Sequence, residues 1–147
     1  LRLEVVGGDA TPWQAVGHAP ESGPHHSACL DLSAQYAAPG TLLQAVQSAA
    51  TRFANRHTQQ ASLTLLLPAE TPTDWPAAGD HAAARMLVST LACEWGSRAL
   101  RINALVVPAD VTPLALHPLL RYVCGASAQF LTGQTIACGR PSLGVAT

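Results

Sequence analysis

At 147 residues, 48% of them apolar, the chain is the size of one domain with a sizeable core. The net charge is −1, and the eight cations are scattered arginines without a single lysine, so nothing draws a nucleic acid or an anionic membrane. No window approaches the run of about 18 apolar residues a membrane helix requires, Leu1-Arg2-Leu3-Glu4 does not open a signal peptide, and the expected location is cytoplasmic.

Leu3-Glu4-Val5-Val6 reads as a short strand closed by Gly7-Gly8-Asp9. Residues 10–39 are loop-rich: Pro12, Pro20 and Pro24 argue against a long helix, and Leu30-Asp31-Leu32 suits a brief strand or one helical turn. From Gly40 the pattern turns helical, with Leu42, Leu43, Val46, Ala49, Ala50 and Phe53 on one stripe up to about Arg56. Leu63-Thr64-Leu65-Leu66-Leu67, stopped by Pro68, reads as a strand covered on both faces. Thr71 to Pro76 is expected to be loop, followed by a helix from about Gly79 to Trp95 that Gly96 ends. Arg101 to Val107 is a second buried strand. Residues 114–130 hold one or two short helices interrupted by Pro118 and Gly125, and Gln134 to Cys138 forms the last strand. Alternating strands and helices imply right-handed crossovers and a parallel sheet. The expectation is one α/β domain over 1–147, a Rossmann-like three-layer sandwich with a mostly parallel sheet of about four to five strands, four of them read directly.

Leu91-Ala92-Cys93-Glu94 and Leu100-Arg101-Ile102-Asn103-Ala104 resemble the "Leu-Ala-x-Glu-Leu" and "Ile-Arg-Val-Asn-Ala" segments of short-chain dehydrogenase/reductases. Val107-Pro108-Ala109-Asp110-Val111-Thr112 is similar to that family's "Pro-Gly-x-x-x-Thr" loop over the nicotinamide, with Ala109 for Gly and Thr112 one residue early. Gln129-Phe130-Leu131-Thr132-Gly133-Gln134-Thr135-Ile136 resembles the entry to the family's last strand, although Cys138-Gly139-Arg140 replaces the usual Asp-Gly-Gly. Leu3 to Asp9 resembles the fourth strand, which implies a fold truncated relative to the full family and lacking its first three strands.

The resemblance places the family's catalytic Tyr-x-x-x-Lys on His81 and Arg85, four residues apart on one helical face. Neither substitutes chemically. An arginine stays protonated and cannot relay a proton, and beside it an imidazole is held neutral, the wrong form for an acid. The serine falls at Pro68 or Ala69 and the asparagine near Pro39-Gly40-Thr41, so no catalytic residue is intact. His81 and Arg85 then read as an exposed helix start, with Asp80 favouring the dipole of that helix. The resemblance also implies that Asn103, Pro108 and Thr112 lie against a cofactor, though Asn103 equally suits a hydrogen-bonding role at a strand end.

No glycine-rich phosphate turn is present, and no cofactor is expected for this chain alone. These residues point to a degenerate family member acting as a structural or partner-binding domain. The alternative is an NAD(P)-dependent oxidoreductase of carbonyl or alcohol hydride transfer whose cofactor-binding N-terminal half lies outside this chain. Family members pair through the helices corresponding to 40–57 and 79–96. Ala45, Ala49, Ala82, Ala83 and Ala84 give those helices small-residue faces suited to a homo-oligomer, or a hetero-oligomer with a homologue.

Other constellations carry less. His25-His26-x-x-Cys29 has no second ligand cluster, so no metal is expected. Glu70 and Asp74 read as solvated carboxylates, no Gly-x-Ser-x-Gly elbow occurs, and Trp13, Trp75 and Trp95 are too dispersed for a stacking platform. Cys29, Cys93, Cys124 and Cys138 lack CxxC spacing and sit mostly in apolar segments, as buried reduced thiols do.

Overall fold

The structure is a computed structural model describing residues 2–5, 26–32, 40–57, 59–69 and 75–139. In chain order these form β1 (Arg2–Val5), β2 (His26–Asp31), α1 (Thr41–Arg56), β3 (Ala61–Pro68), α2 (Trp75–Trp95), β4 (Leu100–Val107), α3 (Pro113–Cys124) and β5 (Thr135–Ala137). Short 3-10 turns follow α2 at Gly96–Arg98 and α3 at Ala126–Ala128. The five strands make one all-parallel sheet in the order β1-β2-β3-β4-β5, a Rossmann-like α/β architecture.

Strand β2 is a correction to the loop expected at 26–29. His26-Ser27-Ala28-Cys29 carries little local strand signal; the segment is held by pairing with β1 on one side and β3 on the other. The strand beside β3 is therefore β2, with Leu3-Glu4-Val5 one place further out. The rest of 10–39, with its prolines, lies outside the described residues, as does Gly7-Gly8-Asp9.

Side chains alternate along the strands and sort into two layers. Leu63, Leu65 and Leu67 of β3, with Ile102 and Ala104 of β4, pack against Leu42, Val46, Ala49, Ala50 and Phe53 of α1 and Ala84, Val88, Ala92 and Trp95 of α2. Leu66 and Leu105 face the opposite way and pack against Leu116, Leu120, Val123 and Cys124 of α3. This division fixes the handedness of the connections. β2-α1-β3, β3-α2-β4 and β4-α3-β5 all step in one direction across the sheet, yet α3 lies on the other face. Its crossover therefore has the opposite hand to the other two, so the expectation of uniformly right-handed crossovers fails at α3. An apolar sheet face at Leu66 and Leu105 needs cover, and α3 is the helix whose stripe supplies it.

Two helices outrun their predicted limits. α2 begins at Trp75, because Pro76 in a first turn loses no hydrogen bond it would otherwise make. α3 passes through Pro118, whose exposed position lets the helix continue while its other face is anchored on the sheet. No helix among the described residues is long and apolar enough to cross a membrane.

Candidate functional site

In an open parallel sheet, ligands lie beyond the carboxyl ends of the strands. Here that rim is formed by Asp31-Leu32, Pro68-Ala69 and Val107-Pro108, with the first turns of α1, α2 and α3 around it. Pro68 and Ala69 bring no hydroxyl to the end of β3.

His81 corrects an expectation. It is only 8% exposed and opens the stripe His81, Ala84, Val88, Ala92 and Trp95 by which α2 meets the core. Because α2 starts at Trp75, His81 lies in its second turn rather than at an exposed start. Arg85, one turn on, is half-buried. Asp80 serves a different helix from the one expected. Its Oδ2 accepts from the Leu42 amide at 3.1 Å and its Oδ1 from the Leu43 amide at 3.0 Å, both in the first turn of α1. The N-cap of α1 is Gly40, whose φ of 86° favours glycine and which has no side chain to cap with. Asp80 supplies from α2 the carboxylate that α1 lacks at its positive end.

The three residues linked by resemblance to a cofactor are placed as follows. Thr112 is the N-cap of α3, its Oγ1 accepting from the Ala115 amide at 3.2 Å. Pro108 accepts from the Val111 amide at 3.0 Å, so the two share one turn leading into the helix. Asn103 sits five residues before Pro108 along β4 and is 1% exposed. Its Nδ2 donates to the Leu131 carbonyl at 2.9 Å and its Oδ1 accepts from the Gln134 amide at 3.1 Å. Asn103 thus ties β4 to the segment that leads into β5.

A buried polar set beneath α3 escaped sequence reasoning. Ser62 pairs with Arg101 and Thr64 with Asn103 across β3 and β4, and all four are buried. Arg101 Nη1 donates to the Ala128 carbonyl. Burial holds that guanidinium below its ordinary range, and nearby Cys124 pulls the other way. Cys124 Sγ donates to Thr64 Oγ1 at 3.3 Å. Beside them burial pushes the Cys29 thiol well up, with Cys124 and then Asp31 adding to the effect. The signal was present as polar letters at every second position of two otherwise apolar strands.

The fit of a dinucleotide can be tested on α1, the helix that follows β2. A pyrophosphate needs free amides at a helix N-terminus, and here the Leu42 and Leu43 amides face a carboxylate that repels it. Among the described residues this site does not suit the cofactor, and no reaction step follows from it. Gly7-Gly8 lies outside those residues. So do His25, Glu70, Asp74 and Trp13, and no group of three or more His, Cys, Asp or Glu side chains gathers among the described ones. All four cysteines are free. Cys29 and Cys124 are buried and Cys138 half-buried, whereas Cys93 is exposed on α2, contrary to expectation.

No protein-family model matches the chain, and no curated protein matches it in sequence. Its likeness is to solved structures. A 4-hydroxyisoleucine dehydrogenase complexed with NADH and succinate is 13% identical, with a TM-score of 0.52 over 75% of this chain and 65% of that one. Acetoin dehydrogenase from Enterobacter cloacae is 17% identical, with a TM-score of 0.52 over 77% and 62%. The NADH enoyl-[acyl-carrier-protein] reductase from Aquifex aeolicus VF5 is 15% identical, with a TM-score of 0.58 over 76% and 59%. At these identities the likeness is one of fold, and the chain spans less than two thirds of the length of each.

Proposed function

We propose that the chain is a short-chain dehydrogenase/reductase-like domain with a degenerate reaction site, acting as a structural or partner-binding unit. The observation that carries this reading is the position of His81. The residue standing where the family's proton donor would be is packed into the core stripe of α2. Arg85 beside it cannot relay a proton, and the end of β3 offers no hydroxyl. Association is expected through the faces of α1 and α2 that the sheet does not cover. Ala49 and Ala84 are turned to the core, so the outer faces carry Ala82, Met86 and polar residues instead, with Met86 68% exposed.

A second reading is favoured by one observation: the solved structures described above extend well beyond the part this chain matches, and one is complexed with NADH. The chain would then be the C-terminal part of an NAD(P)-dependent oxidoreductase whose cofactor-binding half is supplied from outside. Titration of this chain with NADH and NADPH tests the first reading. No saturation at micromolar cofactor is expected, and saturable binding overturns it in favour of the second. A mass in solution above that of one chain, lowered by Met86→Arg, is expected of the α2 face; a strictly monomeric chain counts against it.

A further inference from the structure

The polar set beneath α3 gathers around one sulfur, that of Cys124 at the end of the helix. Its Sγ donates to Thr64 Oγ1 at 3.3 Å. Cys29 is the strand partner of Thr64, and since neighbouring strands lie about 4.8 Å apart, its thiol stands beside the same hydroxyl. Both cysteines are buried in one cluster, and neither is in a disulfide. Arg101 lies one pleat along the same sheet face, where its guanidinium donates to the Ala128 carbonyl in the 3-10 turn that follows Cys124. That brings a buried cation near enough to Cys124 for the two to interact electrostatically. Burying a guanidinium costs several kcal/mol, and a thiol that only filled space would not need one beside it.

We propose that Cys124 is a peroxide-reactive thiol and that Cys29 resolves its oxidised form as a Cys29–Cys124 disulfide. The thiolate is the nucleophile. A cation fixed beside Cys124 favours that form, and the Thr64 hydroxyl, which accepts from the thiol, can turn to donate to the thiolate. Cys29 is suited to the second step: burial, then Cys124 and Asp31, keep its proton on, so it waits as a thiol. The steps balance. The Cys124 sulfur attacks one oxygen of hydrogen peroxide, the O–O bond breaks, and the other oxygen leaves as water with the thiol proton. The Cys29 sulfur then attacks that of Cys124, the S–O bond of the sulfenic acid breaks, and a second water leaves with the Cys29 proton. Two electrons pass from the two thiols to the peroxide. Access follows from the place of Cys124, the last residue of α3, followed by half-buried Gly125 and exposed Ala126. Fraying of that last turn admits a molecule little larger than water. The site is independent of His81 and Arg85, which belong to α2 on the other face of the sheet.

Oxidation kinetics of the full chain test it. Hydrogen peroxide is added at pH 7 to the folded chain and to the chain unfolded in urea, and the loss of each thiol is followed by alkylation and mass spectrometry. Burial alone would slow Cys124 on folding. Folding is expected instead to speed it by about threefold or more, the gain left when a larger thiolate fraction is set against its lower nucleophilicity. Cys124 should also outrun Cys93, which is exposed. In a Cys93→Ser, Cys138→Ser chain the product should be lighter by the two thiol hydrogens and carry the Cys29–Cys124 bridge. Adding Cys29→Ser should stop the reaction at the sulfenic acid of Cys124, captured by a 1,3-diketone probe. Arg101→Met should slow Cys124 by about threefold or more, with Arg101→Lys within about twofold of the parent. Circular dichroism certifies the fold, and the Cys29→Ser variant serves if Arg101→Met fails to fold. The proposal is overturned if folding slows the oxidation of Cys124, if Cys93 reacts first, or if no Cys29–Cys124 bridge forms. An unchanged rate in folded Arg101→Met, or no sulfenic acid in Cys29→Ser, overturns it as well.

Discussion

Asp80 and Arg98 hold opposite ends of the same helix. Asp80 accepts from the Leu42 and Leu43 amides at the start of α1, and Arg98 Nη2 donates to the carbonyls of Ala54 at 2.8 Å and His57 at 3.0 Å at its end. One residue lies in the first turns of α2 and the other just beyond its last, so α1 and α2 run side by side in the same direction. Parallel helices set like dipole ends together. Here an anion meets the positive end of α1 and a cation its negative end, which offsets that arrangement.

Removing either clamp is therefore expected to weaken the fold without touching the core. Asp80→Ala leaves two amides without their acceptor and should cost about 1–2 kcal/mol, with Asp80→Asn costing roughly half as much. Arg98→Ala should cost about 1 kcal/mol. The ends of α1 are roughly 24 Å apart, so the double variant should be additive to within about 0.5 kcal/mol. Urea unfolding measures the totals, and hydrogen exchange should quicken first at Leu42 and Leu43 in the Asp80 variants. Unchanged exchange there would mean that Asp80 is not the cap.

The buried amide of Asn103 makes a sharper test because its two bonds have opposite polarity. Asn103→Asp keeps the acceptor for the Gln134 amide but turns an oxygen toward the Leu131 carbonyl. It should destabilise by about 3 kcal/mol or more at neutral pH. Asn103→Leu loses both bonds and strands two backbone groups, at about 2–3 kcal/mol. Both should release the segment leading into β5, seen as faster exchange at the Gln134 amide. Equal stability of the two variants would show that charge at this site is not desolvated.

How much of this was legible depended on where the determining contacts lie along the chain. The core stripe of α1 and the apolar runs of β3 and β4 follow from local periodicity, and the structure keeps their predicted cores with small changes at the ends. β2 did not show, because His26-Ser27-Ala28-Cys29 becomes a strand through pairing on both edges. Helix periodicity could not reveal that Asp80 faces the start of a helix 37 and 38 residues earlier in the chain. For His81 the spacing to Arg85 was sound, and the error lay in where α2 begins. Trp75-Pro76 reads as loop chemistry, yet a proline in a first turn is compatible with a helix. The hand of the β4-α3-β5 connection depends on which sheet face is left uncovered, which no short window of sequence shows.

The thiols give the fold a dependence on alkaline pH. Burial, then Cys124 and Asp31, raise the Cys29 pKa above that of the unfolded chain, and burial alone raises Cys138. Above the ordinary thiol range, near pH 8.5, the unfolded chain loses protons that the folded chain keeps. Stability is thus fully present below that range and falls as pH rises toward the folded-state values, with a slope of at most about 1.4 kcal/mol per pH unit for each thiol. Thermal unfolding from pH 7 to pH 10 should show the midpoint falling, and Cys29→Ala should flatten the decline while lowering the plateau. A decline of the same slope in Cys29→Ala would assign it to other groups.

Gly133 joins the α1–α2 layer to the last strand, and its conformation and its surroundings both exclude a side chain. Its φ is 73°, and a Cβ there would sit 3.0 Å from the Cβ of Ala92 on α2. Its amide donates to the Ile102 carbonyl at 2.7 Å and its carbonyl accepts from Ser89 Oγ at 3.3 Å, so it cannot move away without breaking both. Gly133→Ala should therefore cost about 2–3 kcal/mol, roughly 1 from the left-handed backbone and the rest from crowding. The two causes can be separated. Ala92→Gly alone weakens α2 by about 1 kcal/mol, yet in the Gly133→Ala background it removes the atom in the way. The double variant should then be more stable than the sum of the singles by about 1–2 kcal/mol, the crowding part, while the backbone part persists. Strict additivity in denaturant unfolding would place the whole cost in the backbone and leave α2 and the β5 entry uncoupled.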